Sequence, residues 1–426
     1  MRVLVVGNGG REHAICARLA RELGAAQVVC APGNAGISST AMCLPVDASD
    51  PAAIQALVER EGVGFTVIGP ELPLTRGLVN RLEAAGHPAC GPTSEAAELE
   101  SSKAFAKTLM AKYGIPTARH AVVESAEAAL SLLRSTEFGF PVVLKADGLA
   151  AGKGVVVAET QAEAEAAVQD MMVDRRFGAA GARLVLEEFM RGREASFFVL
   201  TDGERARILP SAEDHKRAFD GDQGPNTGGM GAFSPSPLID DKMAGRVLDE
   251  IVFPTLRAMR VEGRRYRGFL YCGLMLTDTG PRVVEFNARM GDPETQVVLP
   301  ALDEPLLPHL LAAARGFVES GVFRTSSDRF VGVVLASGGY PGRFDVGKII
   351  TGLDVAAARP GVSVFHAGTA LRDGQTVTAG GRVLTVVAPG ADFVEARTRA
   401  YEAVAPVSFE GMHYRRDIGR RAQRQG

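Results

Sequence analysis

The sequence predicts a multidomain protein that combines the α/β and α+β classes: an N-terminal parallel βαβ unit, a differently built central region, and a small C-terminal mixed unit. Three observations carry this. Over the first hundred residues, short apolar runs alternate with amphipathic segments. Beyond about residue 120 the character changes, with strand-like runs at 141–145 and 154–158 joined by a glycine-rich loop instead of a helix. From about 327 a third stretch begins, again of strands separated by many glycines. A chain of 426 residues also exceeds one core, since domains hold roughly 100–200 residues.

In the first unit the predicted strands are 3–6, 27–30 and 65–68, and the predicted helices 11–23, 52–61 and 74–85. That alternation reads as a mostly parallel sheet. Gly91-Pro92-Thr93 interrupts it, and a linking helix over 102–113 is stopped by Gly114-Ile115-Pro116. In the central region, strands at 141–145 and 154–158 form an antiparallel pair around a glycine-rich loop. Further strands fall at 184–189, 195–200, 270–276 and 282–286, with a helix over 240–261. The third unit has strands at 330–336 and 383–387. The expected division is 1–101, 102–326 with a subdomain at about 121–190, and 327–426.

The bulk numbers exclude several classes. With 47 basic and 50 acidic residues the net charge is −3, so the excess of positive charge that drives nucleic-acid binding is missing. The local basic runs, Arg264-Arg265 with Arg267 and the tail from Arg415 to 424, are expected to be solvated surface. Five cysteines (Cys16, Cys30, Cys43, Cys90, Cys272), with no Cys-x-x-Cys spacing, argue against a disulfide framework or a structural zinc site. No signal-peptide pattern opens the chain, and no apolar run reaches the ~18 residues a membrane span needs. A reducing, cytoplasmic setting without membrane contact is expected.

Gly7-Asn8-Gly9-Gly10-Arg11-Glu12 follows the first strand and opens the first helix, whose N-terminus favours an anion. A dinucleotide fingerprint would place a third Gly at Glu12 and an acidic residue at the end of the second strand, where Cys30-Ala31-Pro32-Gly33 stands. The spacing instead suggests a single phosphate, with a purely structural turn as the alternative. The loop from Gly148 to Gly154, carrying Gly152 and Lys153, is one residue short of a P-loop and leads into a strand. Its chemistry suits a lid over nucleotide phosphates. Lys145 sits inside an apolar strand, a costly place for an unpartnered ammonium. Glu187-Glu188-Phe189, followed by Arg193-Glu194, is a weak signal, equally compatible with a charged turn.

Glu285 and Asn287 stand two apart at a strand end, so both side chains share a face. A carboxylate beside an amide oxygen suits a hard cation that it shares with phosphates. Arg289 continues that parity if the strand does, and Asp292 and Glu294 follow. The segment 214–231, with Asp214-His215-Lys216-Arg217 and a glycine-rich end, shows no periodicity and reads as a functional loop. His215 has no nucleophile to pair with.

Taken together, Gly7 to Ala14, Lys145 to Gly154, Asp214 to Gly231 and Glu285 to Thr295 resemble the phosphoribosylamine–glycine ligase family of ATP-grasp enzymes, in order and over essentially the whole chain. The resemblance implies an ATP-grasp fold after the N-terminal unit. It also implies a reaction: ATP, glycine and 5-phosphoribosylamine give ADP, phosphate and glycinamide ribonucleotide through glycyl phosphate. By that resemblance Lys103 and Lys145 contact ATP phosphates under the 148–154 loop, main-chain groups at Glu187 and Phe189 hold adenine, and Glu194 takes the ribose. Glu285 and Asn287 bind Mg²⁺ or Mn²⁺, while Arg289 and Lys216 clamp the transferring phosphoryl or the glycine carboxylate. Gly9, Gly10, Arg11, Glu71, Asp214, Asn226 and Asp292 are candidates for the other two substrates. A monomer is expected, with room for transient contact with the enzyme supplying phosphoribosylamine. The rivals are an ATP-grasp carboxylase acting on bicarbonate and a non-catalytic nucleotide-binding relative. The second is disfavoured because Lys145, Glu194, Glu285, Asn287 and Arg289 are all present.

Overall fold

The computed structural model describes residues 1–135, 137–149 and 154–424. Its N-terminal sheet is parallel throughout, in the order Met42–Cys43, Val28–Pro32, Arg2–Gly7, Val63–Ile68, Ala89–Cys90. The unbroken apolar run Val3 to Val6 is fully buried, as a strand covered on both faces requires. The strand order reverses at Arg2–Gly7, so the crevice at the carboxyl ends of the central strands is the switch point where such sheets take ligands. The helix predicted over 74–85 is instead two, Glu71–Thr75 and Leu78–Ala84. Gly77, at φ 78°, breaks it in the left-handed region that glycine enters without steric cost.

The linking helix Lys103–Lys112 is N-capped by Ser102, whose hydroxyl accepts from the Phe105 amide. A four-stranded antiparallel sheet follows, ordered His120–Val123, Leu184–Glu188, Val142–Ala146, Val155–Ala158. Helices Ala126–Arg134 and Gln161–Val168 bury their alanines and leucines against it. The larger central sheet runs Gly280–Asn287, Gly268–Thr277, Arg193–Thr201, Ala206–Ile208, Gly321–Val322. The predicted helix over 240–261 forms with one π turn, Leu248–Val252, just before Pro254, which lacks an amide N–H to donate. Apolar side chains of the N-terminal and central sheets belong to common cores: Leu4 and Val6 share one with Phe197 and Leu270.

The last sheet is antiparallel: Glu213–Asp214, Gly231–Ser234, Arg329–Ala336, Arg382–Gly390, Ser363–His366. It therefore draws two strands from before residue 327 and closes over the central region. The segment 214–231 is not structureless, for it contains the hairpin Arg217–Phe219 with Gln223–Asn226. Most of its side chains are exposed, so burial imposes no alternation that a sequence reading could detect.

The basic runs are corrected in part: Arg265, Arg416 and Arg420 are exposed as expected, while others are tied down. Arg415 is buried, 2.8 Å from Asp222 and 2.7 Å from Asp417. Arg264, Arg265 and Arg267 donate to the carbonyls of Glu95, Asp202 and Ala314, stitching elements together. Their partners are remote in sequence, which composition cannot show. All five cysteines are free thiols, four of them buried. Among the described residues no helix is long and apolar enough to cross a membrane.

Candidate active site

Lys145, in strand Val142–Ala146, donates to the Val284 carbonyl at 3.1 Å and lies 2.9 Å from Glu187 Oε1. The other oxygen of Glu187 holds a second ammonium, Lys107 of the linking helix, also at 2.9 Å. Lys107 further donates to Thr117 Oγ1, which donates to the Val283 carbonyl. All three charged groups are buried, and two ammoniums around one carboxylate leave an excess of positive charge. Burial pushes Lys107 down to about 8 against the pull of Glu187. Burial would raise Glu187, but the two lysines hold it below the ordinary carboxylate range.

Lys103 donates to the Gly148 carbonyl at 2.9 Å, at the start of the glycine-rich loop. Asp147 beside it accepts from Ser102 Oγ and the Ala104 amide and pairs with Arg183 at 2.6 Å. The Ala146 amide donates to the Gly154 carbonyl, closing the base of the loop. Gly152 and Lys153 lie outside the described residues. Phe189 is 38% exposed just past strand Leu184–Glu188, with the Arg191 guanidinium 5.9 Å from its ring centre.

Glu285 and Asn287 end the strand Gly280–Asn287, half-buried, and neither side chain makes a hydrogen bond or ion pair among the described residues. Two unpartnered hard oxygen donors on one strand face fit a divalent cation that takes its remaining ligands from phosphate and water. Arg289 lies beyond the strand end, so the parity expected of it does not apply. Its guanidinium sits between Glu71 Oε2 at 3.2 Å and Glu100 Oε1 at 2.9 Å. Burial would raise Glu71, but Arg289 and then Arg11 hold it low. Glu71 thus serves as a counter-ion to Arg289 in this state.

The glycine turn is packed around a side chain of the helix it opens. The Gly9 amide donates to Glu12 Oε2 at 2.6 Å, and Arg11 Nε lies 2.5 Å from Glu12 Oε1. A Cβ on Gly7 would fall 2.6 Å from Glu12 Cγ, and one on Gly69 would fall 2.0 Å from Oε1. Gly10 is pressed against Gln296, and Arg11 also donates to the Met290 carbonyl at 3.3 Å. The anion at this helix terminus is the protein's own Glu12, with Gly9, Gly10 and Arg11 packed around it. Asp292 lies beside Gly9 and accepts from Gln296 Nε2 at 2.7 Å.

Lys216 and Glu194 form an ion pair that stays accessible, with side chains 35% and 42% exposed. Lys216 holds Glu194 below the ordinary carboxylate range. For Asp214, burial raises the carboxyl, Lys216 pulls it down and Glu194 pushes it up, with a net rise. The Thr227 amide and hydroxyl both donate to the Lys216 carbonyl, at 2.7 and 2.8 Å. Asn226 is exposed on the hairpin. His215 is a buried, neutral imidazole whose ring packs 5.9 Å from Phe233. Glu294 is buried, accepts from Ser196 Oγ at 3.2 Å, and is pushed up to about 7 by burial and then Asp214.

Sequence reasoning missed Lys107, Glu100 and Arg382, the last 3.3 Å from Asp292 Oδ2. Lys107 was detectable, as a lysine within the run of small and apolar residues from Ala104 to Met110. Glu100 and Arg382 carry no local signal.

Three family models match in order. They are the phosphoribosylglycinamide synthetase N domain over residues 1–100, the ATP-grasp (A) domain over 101–295 and the C domain over 330–421. A phosphoribosylamine–glycine ligase of Xylella fastidiosa (strain Temecula1) is 49% identical over 426 residues, covering 99% of this chain and 98% of that protein. The crystal structure of the Thermotoga maritima phosphoribosylamine–glycine ligase superposes with a TM-score of 0.86 at 37% identity, covering 98% of this chain and 100% of that one. The biotin carboxylase domain of a Hydrogenobacter thermophilus 2-oxoglutarate carboxylase, solved with MgADP and bicarbonate, gives 0.72 at 18% identity, covering 97% and 91%, a likeness of fold alone. On these matches the chain belongs to the phosphoribosylamine–glycine ligase family, the ATP-dependent ATP-grasp ligases of purine biosynthesis.

Proposed function

We propose that this chain joins glycine to 5-phosphoribosylamine at the cleft between its four-stranded sheet, central sheet and C-terminal sheet, with glycyl phosphate as the intermediate. One observation carries the reading beyond family membership. Glu285 and Asn287, whose side chains make no hydrogen bond or ion pair among the described residues, stand in a site that also gathers Lys103, Lys145, Lys216 and Arg289. That is the charge pattern a polyphosphate with a divalent cation requires.

A carboxylate is a poor electrophile, so one glycine oxygen takes the γ-phosphoryl group of ATP and ADP leaves. The amine of phosphoribosylamine then attacks the acyl carbon, and phosphate leaves. The protein's work is to orient reactants and offset charge. Lys145 and Lys103 face the phosphates, Phe189 and the main chain at Glu187 the adenine, and Glu194 the ribose once Lys216 turns to the transferring group. Glu285 and Asn287 hold Mg²⁺ or Mn²⁺, which lowers the charge barrier between the anionic reactants. Arg289, released from Glu71 or sharing it, takes the glycine carboxylate or phosphoryl oxygens. Asp214, Asn226 and Asp292, with Glu71 and the turn of Gly9, Gly10 and Arg11, serve glycine and phosphoribosylamine. The four-stranded sheet and its loop, about 121–190, close to keep water from the acyl phosphate. A cytoplasmic monomer, met transiently by the enzyme that supplies phosphoribosylamine, completes the proposal.

The test is Glu285→Ala, followed by glycine-dependent ADP release. A loss of about a hundredfold or more is expected, partly recovered at high Mg²⁺. Near wild-type turnover at ordinary Mg²⁺ removes the metal assignment, and release driven by bicarbonate instead of glycine favours the carboxylase reading.

A further inference from the structure

We infer that Arg382, contributed by the C-terminal sheet, is a positioning residue that holds the glycine turn at 227–229 and Asp292 in register across the cleft. The inference rests on the ligation proposed above and assigns it a residue outside the nucleotide motifs. Arg382 Nη1 donates to the Gly228 carbonyl at 2.7 Å and to the Asp292 carbonyl at 2.6 Å, while Nη2 lies 3.3 Å from Asp292 Oδ2. One guanidinium thus joins two segments 64 residues apart in sequence. Its side chain is only 22% exposed and that of Asp292 17%, so this is not a screened surface pair.

The turn is shaped around this contact. A Cβ on Gly228 would fall 3.0 Å from Arg382 Cζ, and one on Gly229 would fall 2.4 Å from Pro293 Cδ. Both glycines therefore allow the turn to press onto the arginine and onto the segment that carries Asp292. The Gly228 amide donates to Tyr340 Oη at 3.0 Å, a second tether from the C-terminal unit. From the turn, Thr227 grips the Lys216 carbonyl twice, which places Lys216 next to Glu194. From Asp292, the side chain of Gln296 continues the chain of bonds towards Gly10. Arg382 begins the strand Arg382–Gly390 in the middle of a sheet, so its Cα is held rigidly. Burial alone would raise the Asp292 carboxyl, yet Arg382, with Arg11 next, keeps it below the ordinary range.

Only a planar fork reaches two carbonyls and a carboxylate together; an ammonium offers one point charge. Loss of the fork should therefore loosen the glycine and phosphoribosylamine side of the cleft while the ATP side, built on Lys103, Lys107 and Lys145, stays intact.

The experiment compares wild type, Arg382→Lys and Arg382→Ala by steady-state ADP release with each substrate varied. Hydrogen–deuterium exchange of the full-length protein is followed in parallel. For Arg382→Ala the KM for glycine or phosphoribosylamine should rise about tenfold or more with that for ATP within about twofold. Arg382→Lys should recover only part of the difference. Amides over 226–231 should exchange about tenfold faster, with those of the N-terminal sheet unchanged. An equal rise in all three KM values, full rescue by lysine, or unchanged exchange over 226–231 overturns the inference. Should the alanine variant fail to fold, the lysine variant carries the same readouts. A wild type without glycine-dependent turnover defeats the proposed reaction instead, and leaves the exchange result to judge Arg382 alone.

Discussion

Glu187→Gln is the sharpest perturbation the structure offers. It keeps the shape of the side chain and removes the one negative charge between Lys107 and Lys145, each 2.9 Å away. The three residues are 2–6% exposed, so neither ammonium can turn to water without rearrangement. Breaking a buried pair from one side costs about 3–5 kcal/mol, because the partner is left as an uncompensated charge. Here a relief route exists. Lys107 already sits at about 8 in the wild type, so neutralising it at pH 7 costs only about 1–2 kcal/mol. Without Glu187 its pKa drops further, and the variant sheds the proton instead of bearing the full penalty.

The sign of the pH dependence follows. Lys107 has a folded pKa below its unfolded value of 10.5, so the folded state gains stability as pH rises through the folded value. In Glu187→Gln that gain begins at lower pH than in the wild type. Glu187 itself is held low and stays ionised throughout this range. The stability gap between the two proteins should therefore be widest near pH 6, about 3–5 kcal/mol, and narrow towards pH 9. Thermal unfolding followed at several pH values, with a probe in the four-stranded sheet, measures it. A gap that is constant from pH 6 to 9, or smaller than about 0.5 kcal/mol at pH 6, refutes the reasoning.

Two further outcomes are expected. Burial and Asp214 raise Glu294 to about 7, so its folded value lies above the unfolded 4.5 and the stability it contributes is lost as pH rises through 7; Glu294→Gln should gain on the wild type by about 2–3 kcal/mol between pH 5 and 8, and parallel Tm–pH curves would show that the carboxyl titrates normally. Gly69→Ala should cost about 1–3 kcal/mol, because its Cβ would fall 2.0 Å from Glu12 Oε1, and the loss should shrink in the Glu12→Ala background; strict additivity in that double-mutant cycle would separate the glycine from the carboxylate.

The glycine case shows where sequence reading runs out. Apolar periodicity was enough to place three strands of the parallel sheet and one antiparallel pair, because burial acts on every residue of a strand. The placement of Glu285 and Asn287 on one strand face was readable for the same local reason, since they stand two positions apart. A glycine, by contrast, announces only that something comes close. At Gly7, Gly9 and Gly69 the close neighbour is Glu12. At Gly228 it is Arg382, 154 residues further along the chain. Ion pairs such as Arg289 with Glu71 and Glu100, or Arg415 with Asp222, join positions that no local window contains. A charged run in sequence is consistent with solvent or with partners, and the choice between them is made by topology. The C-terminal sheet makes that choice for the site: by taking strands Glu213–Asp214 and Gly231–Ser234 from the central segment, it forces the loop between them to return beside Arg382. The polar character of that loop was legible, but the residue that holds it belongs to a strand whose pairing only the folded chain reveals.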